Sequence, residues 1–274
     1  MAHLYGLNGD QQKFADTAAS VAKEVLAQHA ADVDQKGRYP AESMKAIADA
    51  GLNGLCVATD FGGKGQPPRT FAAVVEELAK ECASTAMIYP LHVTAGQQIG
   101  AATNLADKEA VLKDIAGGKH LTTLAFSEKG SRSNFWAPSS SLEADGDGFK
   151  TNANKSWVTT AREADSYVSS GRMPGAETPL ASTLYLVRKG QPGIEIKGDF
   201  TGLGLRGNDS APVELKDYKL PAGDLITENG KGADGMLQVV LPWFTVGTSS
   251  MAHGLCLKAI ELTGGHLAGT GIDF

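Results

Sequence analysis

The stretch Leu121–Arg172, LTTLAFSEKGSRSNFWAPSSSLEADGDGFKTNANKSWVTTAREADSYVSSGR, decides how this chain is read. Within it, short runs alternate in polarity: Leu142–Asp145, Phe149–Asn152, Ser156–Thr159 and Tyr167–Ser170. Turn clusters, of which Asp145-Gly146-Asp147-Gly148 is the clearest, separate them. Period-two alternation broken by Asp-Gly turns is the pattern of an antiparallel β-meander or barrel. Two patches on this region pair a large apolar residue with hydrogen-bonding groups, Phe126-Ser127-Glu128 and Trp157-Val158-Thr159-Thr160. Such pairs suit a flat heterocycle, whose face needs an apolar wall and whose edge needs polar partners.

Upstream of this region the pattern turns helical. Phe14, Ala18, Val21 and Val25 recur at helical spacing over residues 10–30, and Gly37 and Pro40 stop the run. A second helix is expected over Glu42–Ala50, closed by Gly51, and a stronger one over Arg69–Cys82 behind Pro67 and Pro68. Ala86–Ala102 is nearly uncharged and apolar on most sides, so it should be a buried helix, with His92 as a core residue rather than a base. Lys108–Ala116 gives one more. Between these helices, Asp60-Phe61-Gly62-Gly63-Lys64-Gly65 lacks the Gly-Lys-Ser/Thr of a phosphate cradle and reads as a tight turn.

Downstream, Ala181–Arg188 and Gly193–Lys197 read as strands. Gly202-Leu203-Gly204-Leu205-Arg206-Gly207 has the letters of a dinucleotide fingerprint, but turn and strand residues follow it, with Pro212 where a helix would be needed. Without a helix N-terminus facing the pyrophosphate the motif does not work, and a hairpin bend is the better reading. From Gly232 a helical pattern returns through Met236, Val239, Val240, Phe244, Val246, Met251, Leu255 and Ile260, and Pro242 should kink it or start a new first turn.

Composition sets outer bounds. The chain has 274 residues, is 42% hydrophobic and 20% charged, and carries a net charge of -6, values of an ordinary globular protein. The acidic balance lacks the basic stripe that nucleic acid demands. No apolar run reaches the ~20 residues of a membrane span. The first 35 residues carry acids but no Arg, unlike a transit peptide or a signal sequence. The 3 cysteines, Cys56, Cys82 and Cys256, sit in apolar runs without metal spacing and read as reduced core thiols, so a cytoplasmic setting is expected.

Ala125-Phe126-Ser127-Glu128 with Gly130 and Ser133, and Asn154–Thr159 with Ala164-Asp165, resemble the paired flavin-binding segments of acyl-CoA dehydrogenases. In that family these segments run approximately a-x-T-E-P-x-x-G-S-D and G-x-K-x-W-I-T-x-x-x-x-A-D. Ala50–Gly65, Glu76–Met87 and Gly202–Pro221 are similar to further family segments, so the likeness covers essentially the whole chain. It implies an α+β fold: an N-terminal helical domain over 1–120, a middle antiparallel β-barrel domain that binds flavin over 121–230, and over 231–274 the first helix of an incomplete C-terminal bundle.

The resemblance also implies FAD as cofactor and an FAD-dependent oxidoreductase that removes α,β-hydrogens from an acyl thioester, with hydride passing to flavin N5. By motif position, Ser127 bonds the pyrimidine edge of the flavin beside Phe126, Trp157 packs on the ring, Val158 accompanies it, Thr159 donates near O4 and N5, and Ser133 meets the CoA arm. No catalytic residue is assigned, since the family's glutamate base is expected beyond the chain end. Implied partners are acyl-CoA or a similar thioester, an electron-transfer flavoprotein and further copies of the chain in a dimer or tetramer, with neither nucleic acid nor membrane. Lys129 stands for the usual Pro, Arg132-Ser133-Asn134 for Gly-Ser-Asp, and Trp243-Phe244-Thr245 covers a place where the family commonly keeps an Arg. Those departures leave two alternatives: a flavin-dependent monooxygenase of the same fold, and an inactive partner subunit or fragment lacking the base.

Overall fold

A computed structural model describes residues 5–132 and 134–270. The N-terminal part is helical. Helix α1 (Gly9–Val21) starts at a capping box, in which the Asn8 side chain accepts from the backbone N–H of Asp10 and Gln11 while Gln11 returns a bond to Asn8. One π-helical turn, Ala22–Leu26, leads without a break into α2 (Ala27–Lys36), and the helix stops, as expected, where Gly37 takes φ 60°. Helices α3 (Ala41–Asp49), α4 (Pro68–Ala79), α5 (Ala83–Gly100) and α6 (Lys108–Ala116) follow. Phe71, Val74, Val75 and Leu78 form the inner face of α4 and pack on Leu26, Ile47, Leu52 and Tyr89. The glycine loop after α3 is a close-packing device. A Cβ at Gly63 would stand 2.0 Å from the Val57 carbonyl oxygen.

Strands β1 (Thr122–Ala125), β4 (Ser166–Arg172) and β5 (Ser182–Arg188) make one sheet. The other runs in the order β2 (Leu142–Asp145), β3 (Gly148–Val158), β7 (Ala211–Leu220), β6 (Ile194–Ile196). The pairings are antiparallel apart from β1–β4, which is parallel with Leu124 opposite Val168. A parallel pair needs a crossover, and the chain supplies one by leaving β1 to build β2 and β3 in the other sheet. Isolated bridges, Glu128 with Lys155 and Ser141 with Arg172, join the sheets around a core of Ala153, Val158, Tyr167, Tyr185 and Leu215. Gly202–Gly207 lies in the connection between the antiparallel β6 and β7, as a hairpin bend requires. Gly207 lies so close to α2 that a Cβ there would stand 2.3 Å from Val33 Cγ1.

The C-terminal part begins with α7 (Gly232–Gly235), passes through a π-helical turn, Met236–Val240, and continues as α8 (Leu241–Gly269) with Pro242 in its first turn. Proline has no N–H to give to the helical ladder, and it stands just past the π-helical turn, where the ordinary i to i−4 pattern is already interrupted. Gly247, Ser250 and Gly254 form the buried stripe of α8. A Cβ on Gly254 would stand 2.4 Å from the Glu76 carbonyl oxygen, so this stripe lets α8 lie directly on α4. Polar side-chain contacts border the junction: His253 Nδ1 lies 2.5 Å from Glu76 Oε2, and Lys258 Nζ 3.0 Å from Glu81 Oε1. Cys56 and Cys82 are buried thiols as expected, whereas Cys256 is exposed on α8, because the buried stripe of that helix is built from glycine and serine.

A candidate ligand cleft between helix and sheet

The two patches singled out in the sequence converge. Ser156 N–H donates to the Ser127 carbonyl at 2.7 Å, and Glu128 bridges Lys155 one residue further on. Beneath that bridge Lys155 Nζ lies 2.6 Å from Glu128 Oε1, with the two side chains only 1% and 4% exposed. Every remaining partner of the carboxylate is a donor: the backbone N–H of Ser139 and Ser140 at 2.7 Å each, and Ser140 Oγ at 2.5 Å. Lys155 also donates to the Ser170 carbonyl at 2.6 Å. Burial pushes the Glu128 carboxyl up, but the Lys155 ammonium and the surrounding donors outweigh it and hold the group below the ordinary carboxylate range. Complete burial draws the Lys155 amine below its ordinary value, with Glu128 opposing.

Above the ion pair, β3 departs from regular pairing. The register with β7 slips between Lys155 and Val158, and Trp157 takes φ 53°, outside ordinary strand geometry. A bulge re-aims side chains. Here it turns the indole outward, leaving it 60% exposed, with Phe200 edge-on to it at 5.8 Å and 74°. Thr160 takes φ 59° and donates its N–H to the Asn208 carbonyl at 2.9 Å, while Thr159 Oγ1 pairs with Ser210 Oγ at 3.3 Å.

A cleft of about 280 Å³ opens over these residues. Phe126, Ser127, Ser156, Trp157 and Thr159 form its sheet side, together with Leu124. Met87 and Leu91, one turn apart on α5, face them with Phe135, Val240 and Phe244. Among the described residues, no lining side chain carries a formal charge, and no group of three or more His, Cys, Asp or Glu is placed to hold a metal ion.

Of the residues marked in the sequence, Phe126, Ser127, Trp157 and Thr159 therefore share one wall. Val158 does not line it: at 1% exposure it points into the sheet core. Ser133 lies outside the described residues. Lys129 and Arg132 sit exposed on the turn after Glu128. His92 is a core residue whose Nδ1 accepts from Thr122 N–H at 3.2 Å, and burial, with His120 adding to it, pulls its pKa down to about 4. The sequence reading missed the opposite wall. Met87 and Leu91 lie on a helix apolar almost all round, so periodicity singles out no face of it.

These features define an α+β protein with a cleft between a helical layer and a hydroxyl-bearing sheet. Residues 8–119 match the family profile described as "Acyl-CoA dehydrogenase, N-terminal domain", and residues 123–218 match "Acyl-CoA dehydrogenase, middle domain". The chain belongs to the acyl-CoA dehydrogenase family. Similar proteins include the "Probable acyl-CoA dehydrogenase YngJ" of Bacillus subtilis (strain 168), 26% identical over 94% of this chain and 68% of that one. Human "Short-chain specific acyl-CoA dehydrogenase, mitochondrial" is 28% identical over 91% of this chain and 61% of that one. Among solved structures, butyryl-CoA dehydrogenase from Megasphaera elsdenii superposes with TM-score 0.88 at 22% identity, covering 93% of this chain and 68% of that one. The FAD complex of PigA gives TM-score 0.86 at 20% identity, over 94% of this chain and 68% of that one. The chain thus spans 61–68% of the length of these relatives.

Proposed function

We propose that this chain binds FAD in the cleft and belongs to an oxidoreductase that desaturates an acyl thioester between its α and β carbons. The observation that carries the reading is the shared wall of Ser127, Trp157 and Thr159, built on segments that a backbone bond and a buried ion pair hold together. A large indole face left open beside two hydroxyls fits a planar ring with a polar edge. Bound there, the flavin supplies a two-electron acceptor for the hydride that leaves the β carbon. The chain's own residues do the rest. Ser127 and Thr159 offer hydroxyls to the ring edge, Trp157 offers its face, and Met87, Leu91 and Phe244 keep water from the opposite side. No described lining residue is an acid, so the base that takes the α-proton is not among them.

The same reading divides the chain at about residues 120 and 230 into helical, flavin-binding and C-terminal parts, with Ser133 placed toward the CoA arm. It includes an electron-transfer flavoprotein as acceptor, self-association into a dimer or tetramer, and a reducing cytoplasm in which Cys56, Cys82 and Cys256 stay free thiols. No helix among the described residues is long and apolar enough to cross a membrane.

FAD titration of the purified full chain tests the assignment. Uptake should quench flavin fluorescence and produce the visible absorption of a bound flavin, and Ser127→Ala should weaken it. A chain that stays colourless and leaves added FAD fluorescent sinks the reading.

A further inference from the structure

Trp157 presents its ring to the cleft on a side chain that is mostly exposed, and an exposed side chain changes rotamer freely unless a neighbour holds it. One neighbour comes from outside the cleft lining. Phe200, in the connection between β6 and β7, stands edge-on to the indole with centroids 5.8 Å apart and 74° between planes. The connection that carries it is tied down at both ends. Arg162 holds the start, donating to the Gly198 carbonyl and lying 2.9 Å from Asp199 Oδ1. The same guanidinium reaches the end of the connection, 2.5 Å from Asp209 Oδ1. There Arg206 Nη2 also lies 2.6 Å from Asp34 Oδ2 on α2, and Gly207 N–H donates to Ser84 Oγ at 3.1 Å. Between these ties Gly202 makes room for the aromatic ring: a Cβ there would stand 2.4 Å from Phe200 Cε1 and 2.5 Å from Cζ. The ring thus rests on its own turn and against Trp157. Leu203, on the same connection, is fully exposed.

We propose that Phe200 is a positioning residue for the flavin: it holds the Trp157 indole in the orientation that makes it a wall of the cleft. The inference rests on the FAD reading above and deepens it, since the ring wall then depends on a second aromatic drawn from a different segment. The backbone bulge decides which way Trp157 leaves β3, and Phe200 decides how its ring stands once it has left. Edge-on aromatic pairs prefer one mutual geometry and gain energy beyond their buried area, so the pair resists rotation of the indole away from the ligand.

FAD titration of the full chain, read by quenching of flavin fluorescence, tests this. Phe200→Ala should weaken FAD about three- to tenfold, the loss of one aromatic pair expressed as affinity. Phe200→Leu, which keeps apolar bulk without the ring, should lose as much, whereas Phe200→Tyr and the control Leu203→Ala should stay within about twofold of wild type. In a Trp157→Gly background Phe200→Ala should change the affinity by less than about twofold, because the residue it positions is gone. Before FAD is added, Phe200→Ala should make tryptophan emission more readily quenched by acrylamide, and that increase should be absent in the Trp157→Gly background. Equal losses of affinity in both backgrounds, or unchanged affinity and quenching in Phe200→Ala, overturn the inference while FAD uptake by the wild type leaves the parent reading standing. A wild-type chain that takes up no FAD sinks both.

Discussion

The buried pair Glu128–Lys155 makes a quantitative test, because its two halves are not equally supported. Removing Lys155 leaves the Glu128 carboxylate with the N–H groups of Ser139 and Ser140 and the Ser140 hydroxyl. Removing the charge of Glu128 leaves the Lys155 ammonium, 1% exposed, facing neutral acceptors, the Ser170 carbonyl among them. Breaking a buried pair costs about 3–5 kcal/mol by leaving one charge uncompensated. Lys155→Met should therefore fall at the lower end, ~3 kcal/mol, and Glu128→Gln at the upper, ~5 kcal/mol. The amide adds a further penalty, since each partner of the carboxylate is a donor and the new NH2 must face one. In the double variant no charge is left stranded, so it should be more stable than Glu128→Gln alone, with a coupling of about 2–3 kcal/mol. Urea unfolding at neutral pH followed by two optical probes measures all four proteins, and roughly 6–12 °C in Tm corresponds to the smaller loss. The pH dependence has a definite sign. The folded Glu128 value is depressed below 4.5, so the pair's contribution is complete above that ordinary value and is lost as pH falls through the lower, folded one. A Lys155→Met protein within 1 kcal/mol of wild type, or a double variant no better than Glu128→Gln, refutes the reasoning.

Trp157 holds a left-handed backbone and is mostly exposed, so Trp157→Gly should leave stability within about 1 kcal/mol of wild type while weakening FAD about tenfold; equal loss of both would mean the indole is structural. His92 is neutral in the fold down to about pH 4 but takes a proton near 6.5 once unfolded, so its contribution is complete above 6.5 and drains away between those values. Comparing wild type with His92→Gln across that window should show a differential loss of roughly 3 kcal/mol, at about 1.4 kcal/mol per unit; parallel stability curves would contradict it. Gly254→Ala places a methyl 2.4 Å from the Glu76 carbonyl oxygen and should cost about 1–3 kcal/mol by lifting α8 off α4. Denaturant unfolding checks this, and a neutral result would mean the helices have room to separate.

The parts that could be read from sequence were those set by local chemistry. Leu142–Asp145 is a strand with the expected limits, and α3 through α6 fall close to their periodic runs, because turns, caps and apolar spacing act within a few residues. The parallel pairing of β1 with β4 was not legible, since nothing in Thr122–Ala125 names a partner some forty residues on. The cleft was half legible for the same reason: its sheet wall lies on two motifs, whereas its helical wall is drawn from α5 and residues 240–244.

Lys155 and Trp157 show why the site in particular resists a pattern-based reading. By side-chain type the lysine belongs in solvent and the tryptophan in the core, and the structure reverses both. Inversion of the lysine requires a buried acid, which lies 27 residues away at Glu128 and also anchors the turn bearing Ser127. Inversion of the tryptophan requires a left-handed residue at a bulge, which ordinary strand propensity disfavours. The second exception rests on the first: the ion pair pins β3 to the Ser127 turn, and on that fixed base the bulge presents an indole face outward. Strand rules therefore fail over three consecutive residues, and the wall of the cleft is built at that point.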